Sequence, residues 1–301
     1  MHGRQRVGVV TLGGGLRSYE VGGRELLDGF PPGGRPERGR GQVLAPWPNR
    51  IEDGSYEFDG RRLQLPLTEP EHGNAIHGLV RSASWNVADR ATDAVRLEYL
   101  LEPQPGYPFT LALELEYSLG EAGLTVTTTA RNAGADRCPY GCGQHPYLTL
   151  GTPTIDTLRL QVPAAVVTCS GDRGLPLGSD PVDGTAYDFR GGRTIGETVL
   201  DNAYSELERS ADGRARVLLD DPGGGSGITF WVDESYAYLM VFSGDPYPDL
   251  ARRSIAVEPM TCPPNAFRTG ESLIRLEPGA SSTSTWGIEP RLAGVGGSDV
   301  R

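Results

Sequence analysis

The sequence predicts an all-β protein, a large antiparallel β-sandwich, and three observations support this. The 301 residues include 42 glycines and 24 prolines, which are spread along the chain and therefore separate many short elements. Between these breaks, apolar and polar residues alternate with a period of two, as in strands that bury one face. No window of three helical turns shows an amphipathic pattern. The strand faces are expected to form one long apolar core.

The strand predictions follow the chain from its N-terminus. Residues 7–11 alternate weakly, and residues 55–58 and 61–65 flank Asp59-Gly60, a pair that favours a type I′ hairpin turn because both positions need positive φ. In residues 110–119, Leu111, Leu113 and Leu115 alternate with small or polar residues, which predicts one buried face. Further strands are predicted at residues 94–101, 124–131, 157–162, 214–219, 227–232, 237–242, 254–257, 272–276 and 281–288.

The chain is predicted to form a single domain over residues 1–292, followed by a flexible tail at residues 293–301. The best candidate for a linker, residues 170–198, is rich in Gly, Asp and Pro but also contains short apolar anchors. We therefore interpret it as a long ordered excursion.

Charge and cysteine content restrict the function classes. A net charge of -11 disfavours nucleic acid and anionic membrane surfaces, because both are bound by clustered Lys and Arg. An uncharged or cationic partner fits better. Four cysteines are too few for a disulfide scaffold, the N-terminus is neither a signal peptide nor a membrane span, and no Asn-x-Ser/Thr acceptor occurs. A cytoplasmic protein that acts as a monomer or homodimer is the expectation.

His145 lies in the most informative segment, Gly141-Cys142-Gly143-Gln144-His145-Pro146-Tyr147. Pro146 biases His145 toward an extended conformation, so the imidazole is expected at a strand edge. It could serve there as a general acid, a metal ligand or a pH switch.

Four further polar side chains stand in unusual contexts. Arg50 follows the stiff sequence Pro46-Trp47-Pro48-Asn49, and His77 lies between Asn74-Ala75-Ile76 and Gly78. Asp201 follows two apolar residues, and Glu258 is expected to end an apolar strand just before Pro259. A carboxylate there has lost solvent, which raises its pKa unless a cation compensates.

Five motifs in register resemble the aldose 1-epimerase (galactose mutarotase) family over about residues 13–288. They are Pro46-Trp47-Pro48-Asn49-Arg50, Asn74-Ala75-Ile76-His77-Gly78, Gln144-His145-Pro146-Tyr147, Asp201-Asn202-Ala203-Tyr204, and the segment from Val257-Glu258-Pro259-Met260-Thr261 to Phe267. The resemblance implies the family's β-supersandwich and interconversion of the α and β anomers of a free monosaccharide, without metal or organic cofactor. It also implies that His145 is the general acid, that Glu258 is the general base, and that Asn49, Arg50, His77 and Asp201 contact sugar hydroxyls.

The chemistry itself requires one acid and one base. Opening a hemiacetal removes the proton of the anomeric hydroxyl while the ring oxygen gains one, and closing it reverses both transfers. Glu258 must then be ionised and His145 protonated, a state that attraction across the sugar would favour. A bell-shaped pH profile is expected, with the acid limb set by Glu258 and the alkaline limb by His145.

Structural alternatives exist for the binding residues. Arg50 could pair with Glu52 or Asp53 at the surface, His77 could bond its own loop, and Asp201 could cap a short helix. Trp47, Tyr147 and Phe267 could form an apolar floor under the sugar or ordinary core.

Three functional alternatives remain. Cys138, Cys142 and Cys262 could form a zinc site with His145. A hexose 6-phosphate epimerase would need cations at the pocket mouth, for which Arg81, Arg252 and Arg253 are candidates. A non-catalytic carbohydrate-binding or regulatory module would not need an acid opposite a base. Met240 lies where galactose mutarotases often have a glutamine, so the preferred sugar stays open.

Overall fold

The computed structural model describes residues 1–292, so the predicted tail at residues 293–301 lies outside the described residues. Within these residues the regular structure consists of antiparallel β-strands and one short helix, Ala266–Thr269. No helix in the described part of the chain has the length and apolar composition that crossing a bilayer needs.

The larger of the two main sheets has nine strands. In spatial order they are Arg193–Thr194, Arg159–Gln161, Ala215–Asp221, Ser226–Val232, Ser281–Arg291, Gly123–Asn132, Leu111–Gly120, Ala94–Leu101 and Asn86–Arg90. The alternation expected at residues 110–119 is present, because Leu111, Leu113 and Leu115 are buried and the residues between them are less so. Its register pairs Leu113 with Ala130 on the neighbouring strand.

The second main sheet carries the candidate site. Its strands, in spatial order, are Pro176–Pro181, Ala164–Ser170, Asp201–Leu207, Tyr238–Phe242, Ile255–Met260, Gly143–Gln144 and Val43–Leu44, with Tyr147–Leu148 also paired to Ile255–Met260. The remaining strands form a three-stranded sheet of Gln5–Val9, Leu16–Val21 and Arg24–Glu25, and three pairs: Arg50–Glu52 with Asn74–Ile76, Ser55–Phe58 with Arg61–Gln64, and Cys138–Tyr140 with Ile274–Leu276.

One apolar cluster draws on both main sheets. It includes Leu113 and Leu115 of the larger sheet and Leu239, Val241 and Val257 of the second. The predicted β-sandwich is therefore confirmed. The assignment of residues 1–292 to a single domain stays a prediction.

The sequence patterns missed several strands. Leu16–Val21, Ala164–Ser170 and Asp201–Leu207 were not expected, because their residues do not alternate clearly. The helix-capping alternative for Asp201 is wrong, since this residue begins a strand that pairs with Tyr238–Phe242. The ordered excursion at residues 170–198 contains the strand Pro176–Pro181 at the sheet's edge.

Candidate active site

His145 and Glu258 meet in the second sheet. His145 lies between the short strands Gly143–Gln144 and Tyr147–Leu148, both of which pair with Ile255–Met260, the strand of Glu258. The imidazole Nε2 lies 3.1 Å from Glu258 Oε1, and the two residues are only 5% and 2% exposed. The ring of Tyr147 stacks on the imidazole with centroids 4.8 Å apart. Strand pairing therefore brings the two candidate proton-transfer groups into direct contact.

The position of Glu258 within its strand corrects the sequence prediction. The strand does not end at Glu258 but runs from Ile255 to Met260, so Glu258 lies inside it and faces Met240 in the pairing register. Pro259 lies within the strand, although proline lacks the N–H that a central strand normally donates. Glu258 is thus positioned inside a buried strand and not at the end of one.

The buried contact also corrects the predicted ionisation states. Burial lowers the pKa of His145, and Arg81 lowers it further. Burial raises the pKa of Glu258 well above 4.5, and Asp201 adds to this while Arg50 opposes it. At a separation of 3.1 Å between Nε2 and Oε1, the charge of one group changes the free energy of ionising the other, so the two groups titrate as a pair. They touch each other directly and do not attract across an intervening sugar.

Two polar atoms of this pair have no hydrogen-bond partner in the described structure. They are His145 Nδ1 and Glu258 Oε2, and both are buried. A buried polar atom without a partner carries a desolvation cost. A bound hydroxyl that reaches Glu258 Oε2 would remove part of that cost.

Arg50 is fixed by a carboxylate that the sequence did not single out. Its Nε and Nη2 donate to the two oxygens of Glu69 at 2.8 and 2.9 Å, a bidentate geometry that orients the guanidinium. Asn74 Nδ2 also donates to Glu69. The alternative that Arg50 pairs with Glu52 or Asp53 is therefore wrong.

His77 and Asn49 form a second buried contact. Both adopt positive φ, 60° and 54°, and the backbone N–H of Asn49 donates to His77 Nδ1 at 3.2 Å. Burial lowers the pKa of His77 well below 6.5, so the ring is neutral and its single proton lies on Nε2. The ring lies edge-on to His145 with centroids 5.5 Å apart. His77 can therefore donate one hydrogen bond beside the candidate acid.

Asp201 lines the same cavity and is exposed at the start of its strand. The protein around it still removes enough solvent to raise its pKa, and Arg50 opposes that rise. The strand pairing sets Asp201 opposite Phe242, and Ala203 opposite Met240. Asp201 is thus a hydrogen-bond acceptor close to the Arg50 guanidinium.

All six predicted site residues line one cavity of about 710 Å³. Its wall also includes Tyr147, Met240, Phe242 and Tyr247, so the loop at residues 245–249 reaches the site. Trp47 and Phe267 do not line it but pack against each other in the core, with centroids 5.4 Å apart. The sequence missed Glu69, because this residue lies in no recognisable motif, whereas Arg81, a candidate cation from the sequence, does line the cavity.

A slightly larger cavity of about 810 Å³ lies elsewhere in the chain. Aliphatic side chains such as Val7, Val95 and Leu119 line it, and its wall contains neither a histidine nor a buried carboxylate. We therefore assign the chemistry to the cavity that holds His145 and Glu258.

The residues of the site that could bind a metal ion are not the cysteines of the zinc site considered from the sequence. Within residues 1–292, the group of three that could hold an ion is His77, His145 and Glu258, whose ligand atoms lie within 4.8 Å of one another. The cysteines are free, and none belongs to that group. Two imidazoles and a carboxylate suit Zn²⁺, although His77 Nδ1 already accepts from Asn49.

Comparisons with known proteins agree with this architecture. A family model described as aldose 1-epimerase matches residues 2–289. The uncharacterized protein YihR of Escherichia coli is 35% identical over 272 residues, covering 90% of this chain and 85% of its own, and the uncharacterized protein YphB of the same organism is 25% identical over 94% of each chain.

Solved structures share the fold. A GalM/aldose epimerase homologue from C. elegans has a TM-score of 0.86 at 17% identity, covering 96% of each chain. A galactose 1-epimerase from Lactobacillus acidophilus has a TM-score of 0.81 at 21% identity, covering 97% of this chain and 93% of its own.

Proposed function

Because the chain belongs to the aldose 1-epimerase family, we propose that it interconverts the α and β anomers of a free aldose by acid and base catalysis. The observation that carries this proposal is the 3.1 Å contact between His145 Nε2 and Glu258 Oε1 in the wall of an open cavity. A monosaccharide is the partner that this chemistry requires.

The small separation of the two groups suits the reaction. The anomeric hydroxyl and the ring oxygen are bonded to the same carbon, so an acid and a base that act on them must lie close together. Glu258 takes the proton of the anomeric hydroxyl, His145 gives a proton to the ring oxygen, and the bond between C1 and the ring oxygen breaks. Rotation about the C1–C2 bond and the reverse transfers close the ring to the other anomer.

The proton count of the buried pair is compatible with this cycle. A neutral imidazole beside a protonated carboxyl holds as many protons as an imidazolium beside a carboxylate. Moving one proton along the 3.1 Å contact therefore produces the working form without exchange with solvent. The sugar oxygens then replace the direct contact, and one proton transfer at each oxygen leaves the net charge of the site unchanged.

Four neighbouring side chains would hold the sugar. Arg50 and His77 Nε2 can donate, Asp201 can accept, and the Asn49 amide can do both. Asn49 Oδ1 accepts from the backbone N–H of Arg50, which leaves its amide hydrogens for the ligand. Mixed donors and acceptors of this kind match hydroxyl groups, which also donate and accept.

Polarimetry of freshly dissolved α-glucose and other aldoses tests the proposal. The wild-type protein should accelerate the change in rotation, whereas His145→Ala and Glu258→Gln should abolish the acceleration while the protein stays folded. His2→Ala and Glu116→Gln are matched controls, because both residues lie outside the cavity. An acceleration that survives in both site variants would overturn the proposal.

A further inference from the structure

The imidazole of His145 has a polar contact at only one of its two nitrogens within residues 1–292. Nε2 lies 3.1 Å from Glu258 Oε1, whereas the buried Nδ1 has no hydrogen-bond partner among the described residues. A histidine that transfers protons is ordinarily oriented by a hydrogen bond at its other nitrogen. In the proposed reaction a sugar oxygen also displaces the contact with Glu258. During turnover the ring must therefore be held in place by packing.

Tyr147 and Gly39 pack closely against this ring. Tyr147 stacks on the imidazole with centroids 4.8 Å apart and an interplanar angle of 15°. Gly39 is buried and has a φ of 77°, and a Cβ built on it would lie 2.8 Å from Cδ2, 3.3 Å from Cγ and 3.5 Å from Nε2 of His145. Ordinary contacts of a Cβ atom are 3.4–4 Å long. Only a residue without a side chain therefore fits at position 39.

Gly39 belongs to residues 38–42, which we call the His145 clamp. The backbone of the clamp bonds to His145 in both directions. The N–H of Gly41 donates to the carbonyl oxygen of His145 at 2.8 Å, and the N–H of His145 donates to the carbonyl oxygen of Gln42 at 3.2 Å. The clamp itself is closed by a bond from the N–H of Gln42 to the carbonyl oxygen of Gly39 at 2.8 Å. The position of Gly39 relative to the histidine backbone is therefore fixed.

Gly39 contacts the imidazole from outside the sugar cavity. It is not part of the cavity wall, although its neighbour Arg38 is, and the carbonyl oxygen of Arg38 accepts from the Tyr147 hydroxyl at 3.3 Å. A methyl group at position 39 would thus displace the ring of His145 without filling the space for the sugar. Lengthening 2.8 Å to 3.4 Å requires a shift of about 0.6 Å, which is enough to spoil the geometry of a proton transfer.

Building on the proposed function, we infer that Gly39 is a positioning residue for the general acid: because it has no side chain, the clamp can hold the imidazole of His145 at the ring oxygen of the sugar once the contact with Glu258 is broken. The effect of Gly39 is on kcat, since the acid acts in the proton-transfer step. The side chains that bind the sugar hydroxyls do not depend on it, so KM does not report its loss.

The test compares Gly39→Ala with Gly33→Ala as a matched control. Gly33 lies in the same connection between the strands Arg24–Glu25 and Val43–Leu44, with a φ of 80°. No described atom lies within 4 Å of a Cβ built on Gly33. Both variants therefore carry similar backbone strain, but only one of them pushes on the imidazole.

Polarimetry over a range of concentrations of the aldose that the wild-type protein accelerates most separates kcat from KM. We expect Gly39→Ala to lower kcat by on the order of 10- to 100-fold while KM is unchanged. Gly33→Ala should keep the wild-type values of both.

NMR of histidine-labelled protein shows whether the ring has moved. The chain contains four histidines, so the ring signals are few, and His145→Ala assigns those of His145. Gly39→Ala should shift the ring signals of His145 and leave those of His2 and His72 in place, whereas Gly33→Ala should shift none. Thermal unfolding checks the fold of each variant. If Gly39→Ala is unfolded, Gly39→Asn decides the question, because asparagine tolerates positive φ better and still carries a Cβ.

Three results would overturn the inference. They are a folded Gly39→Ala with the kcat of Gly33→Ala, a loss that appears in KM and not in kcat, and a loss of kcat without a shift of the His145 ring signals. In each of these cases the wild-type protein still accelerates mutarotation, so the proposed function stands. A wild-type protein that accelerates no aldose would overturn both.

Discussion

Removing either member of the buried pair should disable the other as well. Without Glu258, burial and the neighbouring Arg81 leave His145 neutral, so it cannot act as an acid. Without His145, burial and Asp201 keep Glu258 protonated, so it cannot act as a base. Each positioned proton transfer contributes ~10²–10⁴-fold, so losing both lowers kcat/KM by about 10⁴-fold or more, or about 5 kcal/mol. We therefore expect His145→Ala, Glu258→Gln and the double variant to be equally slow.

A double-mutant cycle measured by polarimetry tests this coupling. Subtraction of the spontaneous rate gives the enzymatic kcat/KM of each form, and circular dichroism with thermal unfolding confirms the fold. Equal rates in the three variants correspond to a coupling free energy of about 5 kcal/mol, as large as either single effect. If the double variant is slower than the wild type by the product of the two single effects, the two groups act independently, and the reasoning from a coupled pair is refuted.

The remaining predictions concern pH, metal and the support of Arg50. Burial lowers the pKa of His145 below its ordinary value of 6.5 and raises the pKa of Glu258 above its ordinary value of 4.5. We therefore expect kcat/KM to be constant between pH 4.5 and 6.5 and to fall only outside this window. A narrow maximum of kcat/KM within the window would contradict the pairing. EDTA should leave the rate unchanged, whereas added Zn²⁺ should inhibit in competition with the aldose by binding His77, His145 and Glu258. Activity that is lost on chelation and restored by Zn²⁺ would show instead that the reaction needs a bound metal ion. Glu69→Gln should raise KM and lower the free energy of unfolding by about 1.5–3 kcal/mol, as measured by polarimetry and urea titration; unchanged values of both would mean that Glu69 does not position Arg50.

Much of the fold could be predicted because strand formation leaves a local signature. The alternation of Leu111, Leu113 and Leu115 reappears as a buried face, since side chains of a strand point to opposite sides. Strands without alternation, such as Ala164–Ser170, were missed. The predicted end of the strand at Glu258 was wrong because Pro259 suggested a break, whereas the strand Ile255–Met260 continues through this proline.

The sequence by itself determined the β-class and the order of the motifs, because these depend on local patterns and on residue types, and its resemblance to the aldose 1-epimerase family identified the six residues that line the cavity. Only the tertiary structure decided which groups touch: His145 with Glu258, Arg50 with Glu69, and Gly39 with the imidazole of His145. The physical reason is that such contacts join distant parts of the chain. Strand order and side-chain packing set them, and the resulting burial alters pKa values that no local pattern contains.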